Sequence, residues 1–285
     1  MTNTEMETKI LGYMKEHPTA PLSADELLQA LTLEGADLKL FWTVMKELEG
    51  KLNLDCMTVT GKTVGENLKK VDYAYDRRVI RSIDDPISPV GGMCILKGNL
   101  APNGAVIKRS AATERLLHHR GRAKVFDDLS VAEKWLADEN SDVDENTVIV
   151  LRGYGPKGAP GMPEFGNYLP VPPALHKKGI DDYLRVTDSR MSGGCFGSII
   201  LHVSPEAEEG GPLAAVRDGD IIHVEADENL IEVEISDEEI ARRLKDFKPK
   251  GHPDIKRGFV RNFIDHVLQA DQGCDLDYLR YVEEG

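Results

Sequence analysis

The period of the apolar positions changes along this chain. Over residues 3–16, Met6, Ile10, Leu11 and Met14 recur at helical spacing until His17-Pro18 breaks the run. Ser23 and Glu26 make a capping-box pattern ahead of Leu27, Leu28 and Leu31. A third helix is predicted from Asp37, with Leu40, Phe41, Val44, Met45 and Leu48 on one face and Gly50 as its stop. The opening segment therefore reads as short helices that pack, rather than as a site.

After about Pro86 the pattern shortens to strand length. Residues 92–98, 104–108, 123–127, 147–153, 184–188 and 198–204 read as strands between glycine and proline turns. Residues 219–235 have the pattern of a hairpin turning at Glu228-Asn229. Helices are predicted at 130–136, at 172–178 with Gly179 near its end, and from Ser236, which pairs with Glu239 as a capping box. Residues 245–253 read as a linker, and 259–270 as a last helix. Its stripe of Phe259, Phe263, Val267 and Leu268 needs a covering surface, such as a partner chain. Many short strands without regular βαβ repeats predict an α/β protein: a mixed β-barrel-like domain with peripheral helices, preceded by a small helical segment. The expected divisions are 1–85, 86–248 and 249–285.

Composition narrows the function classes. The chain has 285 residues, 41% of them apolar, enough for one large domain or two modest ones. Forty-nine acidic against thirty-five basic residues give a net charge of −14, which argues against nucleic acid or an anionic membrane as partner. Charges interrupt the apolar pattern of the first 18 residues, unlike a secretion signal or a spanning helix, so a cytoplasmic location is expected. Cys56, Cys94, Cys195 and Cys274 are dispersed and form no CxxC, which fits reduced thiols better than a self-contained metal site.

Candidate chemistry sits in two glycine-bracketed loops, GYGPKGAPGMPEFG at 153–166 and VTDSRMSGGCFG at 186–197. Dense glycine costs backbone entropy and signals unusual dihedrals or close approach. The segment between them, with Gly179, Ile180 and Asp181, looks like scaffold. Ser192 follows a predicted strand and precedes Gly193-Gly194, a turn whose backbone N–H groups can hold an anion. Its hydroxyl suits a nucleophile, a base beside a metal, or a turn hydrogen bond. The absence of a GxSxG elbow around it argues against a hydrolase. Glu164, on a stiff loop, suits a hard cation or the open surface. Asp188 and Arg190 flank the serine and suit either a mutual ion pair or a carboxylate substrate. Lys97 and Lys157 add positive charge in glycine loops, and His202 reads as a hydrogen-bonded core histidine. Gly61-Lys62-Thr63 lacks the rest of a phosphate loop.

Five ordered blocks carry a resemblance: CMTVTGKTVGEN (56–67), GGMCILKGNLAPNGAVIK (91–108), GPKGAPGMPE (155–164), TDSRMSGGCFG (187–197) and HVSPEAEEGGPLAAVRDGDII (202–222). Together they resemble the dihydroxy-acid and sugar-acid dehydratase family, and DHVLQADQGCDLDYL at 265–279 looks more like the sugar-acid branch. The resemblance implies a C-terminal swivelling barrel that closes over a larger α/β domain. It implies removal of water from a 2,3-dihydroxy carboxylate to give an enol and then a 2-keto acid. An iron–sulfur cluster would act on the departing 3-hydroxyl, and magnesium would hold the carboxylate and 2-hydroxyl. Glu164 matches the family's magnesium-binding glutamate. Ser192 matches the serine proposed to take the C2 proton as an alkoxide, with Asp188, Arg190 and Gly193 around the substrate.

Departures from the family pattern set a limit. The match begins near the end of the family's large domain, so the regions with the cluster cysteines, the other magnesium ligands and the modified lysine are not in this sequence. Ser189 stands where TDGR versions of the loop have glycine, and residues 1–36 carry no resemblance to the family and read as a replacement segment. The implied function is a dehydratase C-terminal domain or subunit, inactive alone, that works with a large iron–sulfur subunit. No cofactor is expected in the isolated chain. The alternative is a non-catalytic anion-binding or scaffold protein that binds a small carboxylate. Either reading allows a homo-oligomer.

Overall fold

The computed structural model describes residues 35–71, 77–78, 81–164, 169–192 and 196–279. The helices predicted over 3–16 and 23–31 lie outside them. The chain divides into two compact units, Met1–Pro89 and Val90–Gly285.

In the first unit, α1 spans Gly35–Glu47 and α2 spans Val64–Leu68. The predicted apolar face of α1 is not the buried one throughout, since Phe41 is exposed and Thr43 is buried. Thr63 opens α2 with a complete capping box: its Oγ1 accepts from Glu66 N at 3.1 Å, and Glu66 Oε2 accepts from Thr63 N at 2.8 Å. The remnant weighed above as a phosphate loop is this cap.

The second unit is built on β1 (Cys94–Gly98), β2 (Ala101–Ile107), β3 (His118–Phe126), β4 (Thr147–Leu151), β5 (Arg185–Thr187), β6 (Ile199–Ser204), β7 (Ile221–Glu225) and β8 (Leu230–Val233). They close into a barrel in the order β1-β2-β6-β5-β4-β3-β7-β8. The expected mixed barrel with a few helices is what forms. Neighbours β3-β4, β4-β5 and β5-β6 pair in parallel, while β1-β2, β2-β6, β3-β7 and β7-β8 are antiparallel. Helix α3 (Glu114–Leu117) precedes β3, and α4 (Leu129–Ala137) makes the crossover between β3 and β4, so the strand, helix and strand predicted over 123–153 form one βαβ unit. Asp128 caps α4 by accepting from Ser130 N at 2.8 Å, so the helix starts before its predicted position.

Strand β4 reads TVIVL without alternation because both faces are buried. Val148 and Val150 join the larger core, with Leu96, Ile107, Ile200 and Val224, while Ile149 and Leu151 join a second with Phe126, Leu136 and Tyr183. Helix α5 (Pro173–His176) packs Leu175 into that second core.

The closing seam is thin. Lys97 and Leu230 are the paired residues of β1 and β8. Next to them the Asn99 side chain imitates a strand, accepting from Val233 N and donating to Val233 O, each at 2.9 Å. Gly98 is required here, because a Cβ would lie 2.0 Å from Ile231 O. The β7-β8 hairpin turns through Asn229 at φ 56°, where asparagine is tolerated.

Helix α6 (Asp237–Asp246) has half the expected box. Ser236 accepts from Glu239 N, but the Glu239 carboxylate is taken by Arg242 and Arg243. The expected linker is helical through Asp246 and then pinned, with Lys250 N and Gly251 N donating to Glu208. Helix α7 (Phe259–His266) is shorter than predicted; Ile264 and Val267 are buried, while Phe259 stays exposed.

Asn99→Leu removes both partners of a buried backbone pair, a loss of about 2–3 kcal/mol. Urea unfolding should show the midpoint fall accordingly, and an unchanged midpoint would show that the seam closes without Asn99.

Candidate functional site

The two glycine loops leave β4 and β5, parallel neighbours, so the barrel delivers them side by side. Their polar backbone needs partners, and buried carboxylates supply them. Asp188, fully buried, accepts from Gly153 N at 3.0 Å, Tyr154 N at 2.9 Å and Ala207 N at 3.0 Å. Its side chain is directed at the first loop and the 207 turn. Burial pushes its carboxyl above the ordinary range, against the pull of these donors.

The first loop folds tightly on itself. Gly158 passes so close to Gly153 that a Cβ would lie 2.6 Å from its carbonyl oxygen. Met162 takes φ 46°, and its N–H donates to Ala159 O at 2.8 Å. Lys157 is paired with Glu209 at 2.6 Å, so its charge is balanced within the fold.

Arg190 joins the loops. Its Nε donates to Met162 O at 2.6 Å, a terminal nitrogen lies 3.1 Å from Glu164 Oε1, and Glu164 and Arg190 form an isolated parallel bridge. Glu164 is about one-third exposed and Arg190 nearly half. The sequence left an Asp188–Arg190 pair open; the structure instead pairs Arg190 with Glu164 and Asp188 with backbone. Ser192 follows two positions later and is half-buried. Gly193 lies outside the described residues.

Asp182 holds the far end of the second loop, and the sequence reading missed it by treating residues 179–181 and their surroundings as scaffold. It accepts from Ser198 N at 3.0 Å, Ser198 Oγ at 2.7 Å and Thr113 Oγ1 at 2.7 Å, and lies 3.3 Å from Arg185. Burial opposes its charge, but the Ser198 and Thr113 hydrogen bonds hold its pKa below the ordinary value. The sequence signal was an acidic residue two positions ahead of the strand predicted at 184–188.

His202 departs from the expected satisfied histidine. It takes φ 54° in the bulged β2-β6 pairing, and its buried Nδ1 has no partner among the described residues. Burial, and the nearby Arg190 charge, lower its pKa. It lines a cleft of about 520 Å³ with Ile95, Lys97, Asn103, Val106 and Cys274.

The Cys94 thiol donates to Ala226 O and Asn229 Oδ1, and burial raises the Cys94 and Cys274 thiols away from thiolate. Among the described residues, His118, Glu225 and Asp227 alone lie close enough to share an ion; they include no cysteine, and Asp227 is already paired with Arg109. These residues do not fit an iron–sulfur cluster. Glu164 fits one oxygen position of a hard cation's shell.

Fold and site together define a class: a closed mixed barrel that carries a pair of cross-braced polar loops on one rim. The family model for the dihydroxy-acid/6-phosphogluconate dehydratase C-terminal domain matches residues 78–274, and the chain belongs to that family. It is 48% identical over 232 residues to an L-arabonate dehydratase of Azospirillum brasilense, covering 80% of this chain and 40% of that protein. It is 44% identical to a 6-deoxy-6-sulfo-D-gluconate dehydratase of Pseudomonas putida (84% and 42% covered). It is 46% identical to a dihydroxy-acid dehydratase of Acetivibrio thermocellus (82% and 42% covered). The chain thus spans about two-fifths of the length of these relatives and corresponds to their C-terminal portion. Among the described residues no helix is long and apolar enough to cross a membrane.

His119 and His202, both depressed by burial, set a pH dependence. Below the unfolded value of about 6.5 the unfolded chain binds protons that the folded chain refuses, so stability falls. The loss begins as pH drops through that value and is complete below the depressed folded values. Thermal melts between pH 8 and 5 should show this limb, reduced in His202→Gln; an identical limb in that variant would remove His202 as a contributor.

Proposed function

We propose that this chain is the C-terminal domain or subunit of a hydro-lyase that converts a sugar acid or related 2,3-dihydroxy acid to a 2-keto acid. Ser192 takes the C2 proton, the 3-hydroxyl leaves as water, and the resulting enol tautomerises to the ketone. A serine base needs cations that lower its pKa. Arg190, two positions away, is the cation of this chain nearest to it in sequence. Glu164 would contribute one ligand to magnesium, Arg190 and Gly193 would serve the substrate carboxylate, and Asp188 serves the pocket by fixing the loops.

Support comes chiefly from Arg190, which touches both loops and brings Glu164 to the serine strand end. The relatives add substrate chemistry: arabonate, sulfogluconate and dihydroxy acids all carry adjacent hydroxyls beside a carboxylate. The Lewis acid and the remaining metal ligands come from residues outside these 285, in a large iron–sulfur subunit over which the barrel swivels. The isolated chain is inactive. A complex or homo-oligomer in the cytoplasm is the working form.

Co-expression with the N-terminal region of an arabonate dehydratase relative tests the proposal. Dehydration of L-arabonate, followed as 2-keto acid, should appear in the complex and not in either part. In the complex, Ser192→Ala should lower kcat by about 10²–10⁴-fold. A complex that stays colourless and inactive on every aldonate favours the non-catalytic anion-binding or scaffold reading. Turnover by the pure chain alone refutes the need for a companion.

A further inference from the structure

A second buried carboxylate lies beneath the first loop, and the chemistry above gives it no task. Glu206 is 1% exposed. Its Oε1 and Oε2 accept from Lys157 N at 3.0 and 3.1 Å, and Oε2 accepts from Gly158 N at 2.9 Å. No residue with a side chain fits opposite, since a Cβ on Gly155 would lie 2.6 Å from Oε2.

Gln269 closes the other side with a reciprocal pair. Its Nε2 donates to Glu206 Oε1 at 2.7 Å, and its Oε1 accepts from Glu206 N at 2.8 Å. The segment around Gln269 is fixed in turn: Ser204 Oγ donates to Asp271 Oδ1 at 2.5 Å, and Cys274 Sγ lies 3.3 Å from Met162 Sδ. Chain far beyond the barrel strands thus reaches back to the loop that carries Glu164.

We propose that Glu206 is the positioning residue of the Glu164 loop, and that Gln269 couples its grip to the C-terminal segment. The proposal rests on the reading of Glu164 as the chain's metal-directed carboxylate. Asp188 holds the start of the loop at Gly153 and Tyr154; Glu206 holds its middle at Lys157 and Gly158. With both held, the turn through Met162 presents Glu164 in one place. An acceptor without hydrogens is what two converging N–H donors require. Burial pushes the Glu206 carboxyl upward, so this grip is held at a cost in solvation that a packing residue would not incur.

Hydrogen exchange on the 285-residue chain, read by mass spectrometry, tests this in Glu206→Gln and Gln269→Leu. Glutamine keeps the shape but turns an NH₂ toward backbone donors. Exchange at 156–164 should rise about tenfold in Glu206→Gln and about threefold in Gln269→Leu, with β4 amides unchanged. No acceleration at 156–164, or acceleration spread evenly over the barrel, overturns the assignment. If Glu206→Gln does not fold, Gln269→Leu, which keeps the carboxylate, decides by the same readout. Glu164→Gln separates the two ideas. It should leave exchange at Lys157 and Gly158, the amides held by Glu206, unchanged while abolishing magnesium-dependent turnover of the reassembled dehydratase. Retained turnover there would refute the metal role and leave the Glu206 result standing.

Discussion

The Asp188 carboxylate, sealed from solvent and facing three backbone N–H groups, is the interaction on which the site depends. Loops rich in glycine and proline cannot satisfy their own donors as helices and strands do. A side chain with four lone-pair positions and no hydrogens can organise such a loop, provided it is buried with its donors. Asp182 applies the same solution at the other end of the second loop. These carboxylates lie in the interior, and the exposed charges, Glu164 and Arg190, are placed by what those buried groups hold.

The barrel makes this arrangement available. Parallel pairing of β4 with β5 means that both strands end on the same rim, so their loops emerge as neighbours. Antiparallel pairing would have sent them to opposite ends. The all-buried β4, wedged between two cores, fixes that rim in place, and Asn99 completes the closure where strand pairing is thin. The architecture separates tasks. Apolar packing sets the frame, and a few carboxylate-to-backbone contacts set the loops upon it.

On the reading proposed above, such a surface forms one half of a shared pocket. It offers a carboxylate, a guanidinium and a hydroxyl on braced loops, and burial raises its Cys94 and Cys274 thiols away from thiolate. Chemistry that needs a soft-ligand cluster has to draw those ligands from elsewhere, which agrees with a match confined to the C-terminal two-fifths of the relatives. The cross-loop pair of Glu164 and Arg190 keeps opposite charges matched in this chain by itself.

Local physics made much of this legible in the residues. Short apolar runs between turn residues located the strands of the barrel, the Asn229 turn and the Ser236 cap, because period, turn chemistry and capping act over a few residues. Glycine density pointed to both loops, and their motifs to the family. What was not legible depends on distant partners. No local pattern shows that Asp188 would turn from Arg190 to backbone, that Asp182 would brace Ser198, or that Gln269 would meet Glu206 across more than sixty positions. The capping box at Ser236 was only half formed because Arg242 and Arg243 compete for Glu239, again a matter of neighbours in space. The sequence by itself determined the strand set, the place of the two glycine loops and the family; tertiary structure alone decided which charges pair, because burial sets that choice and burial belongs to the folded whole.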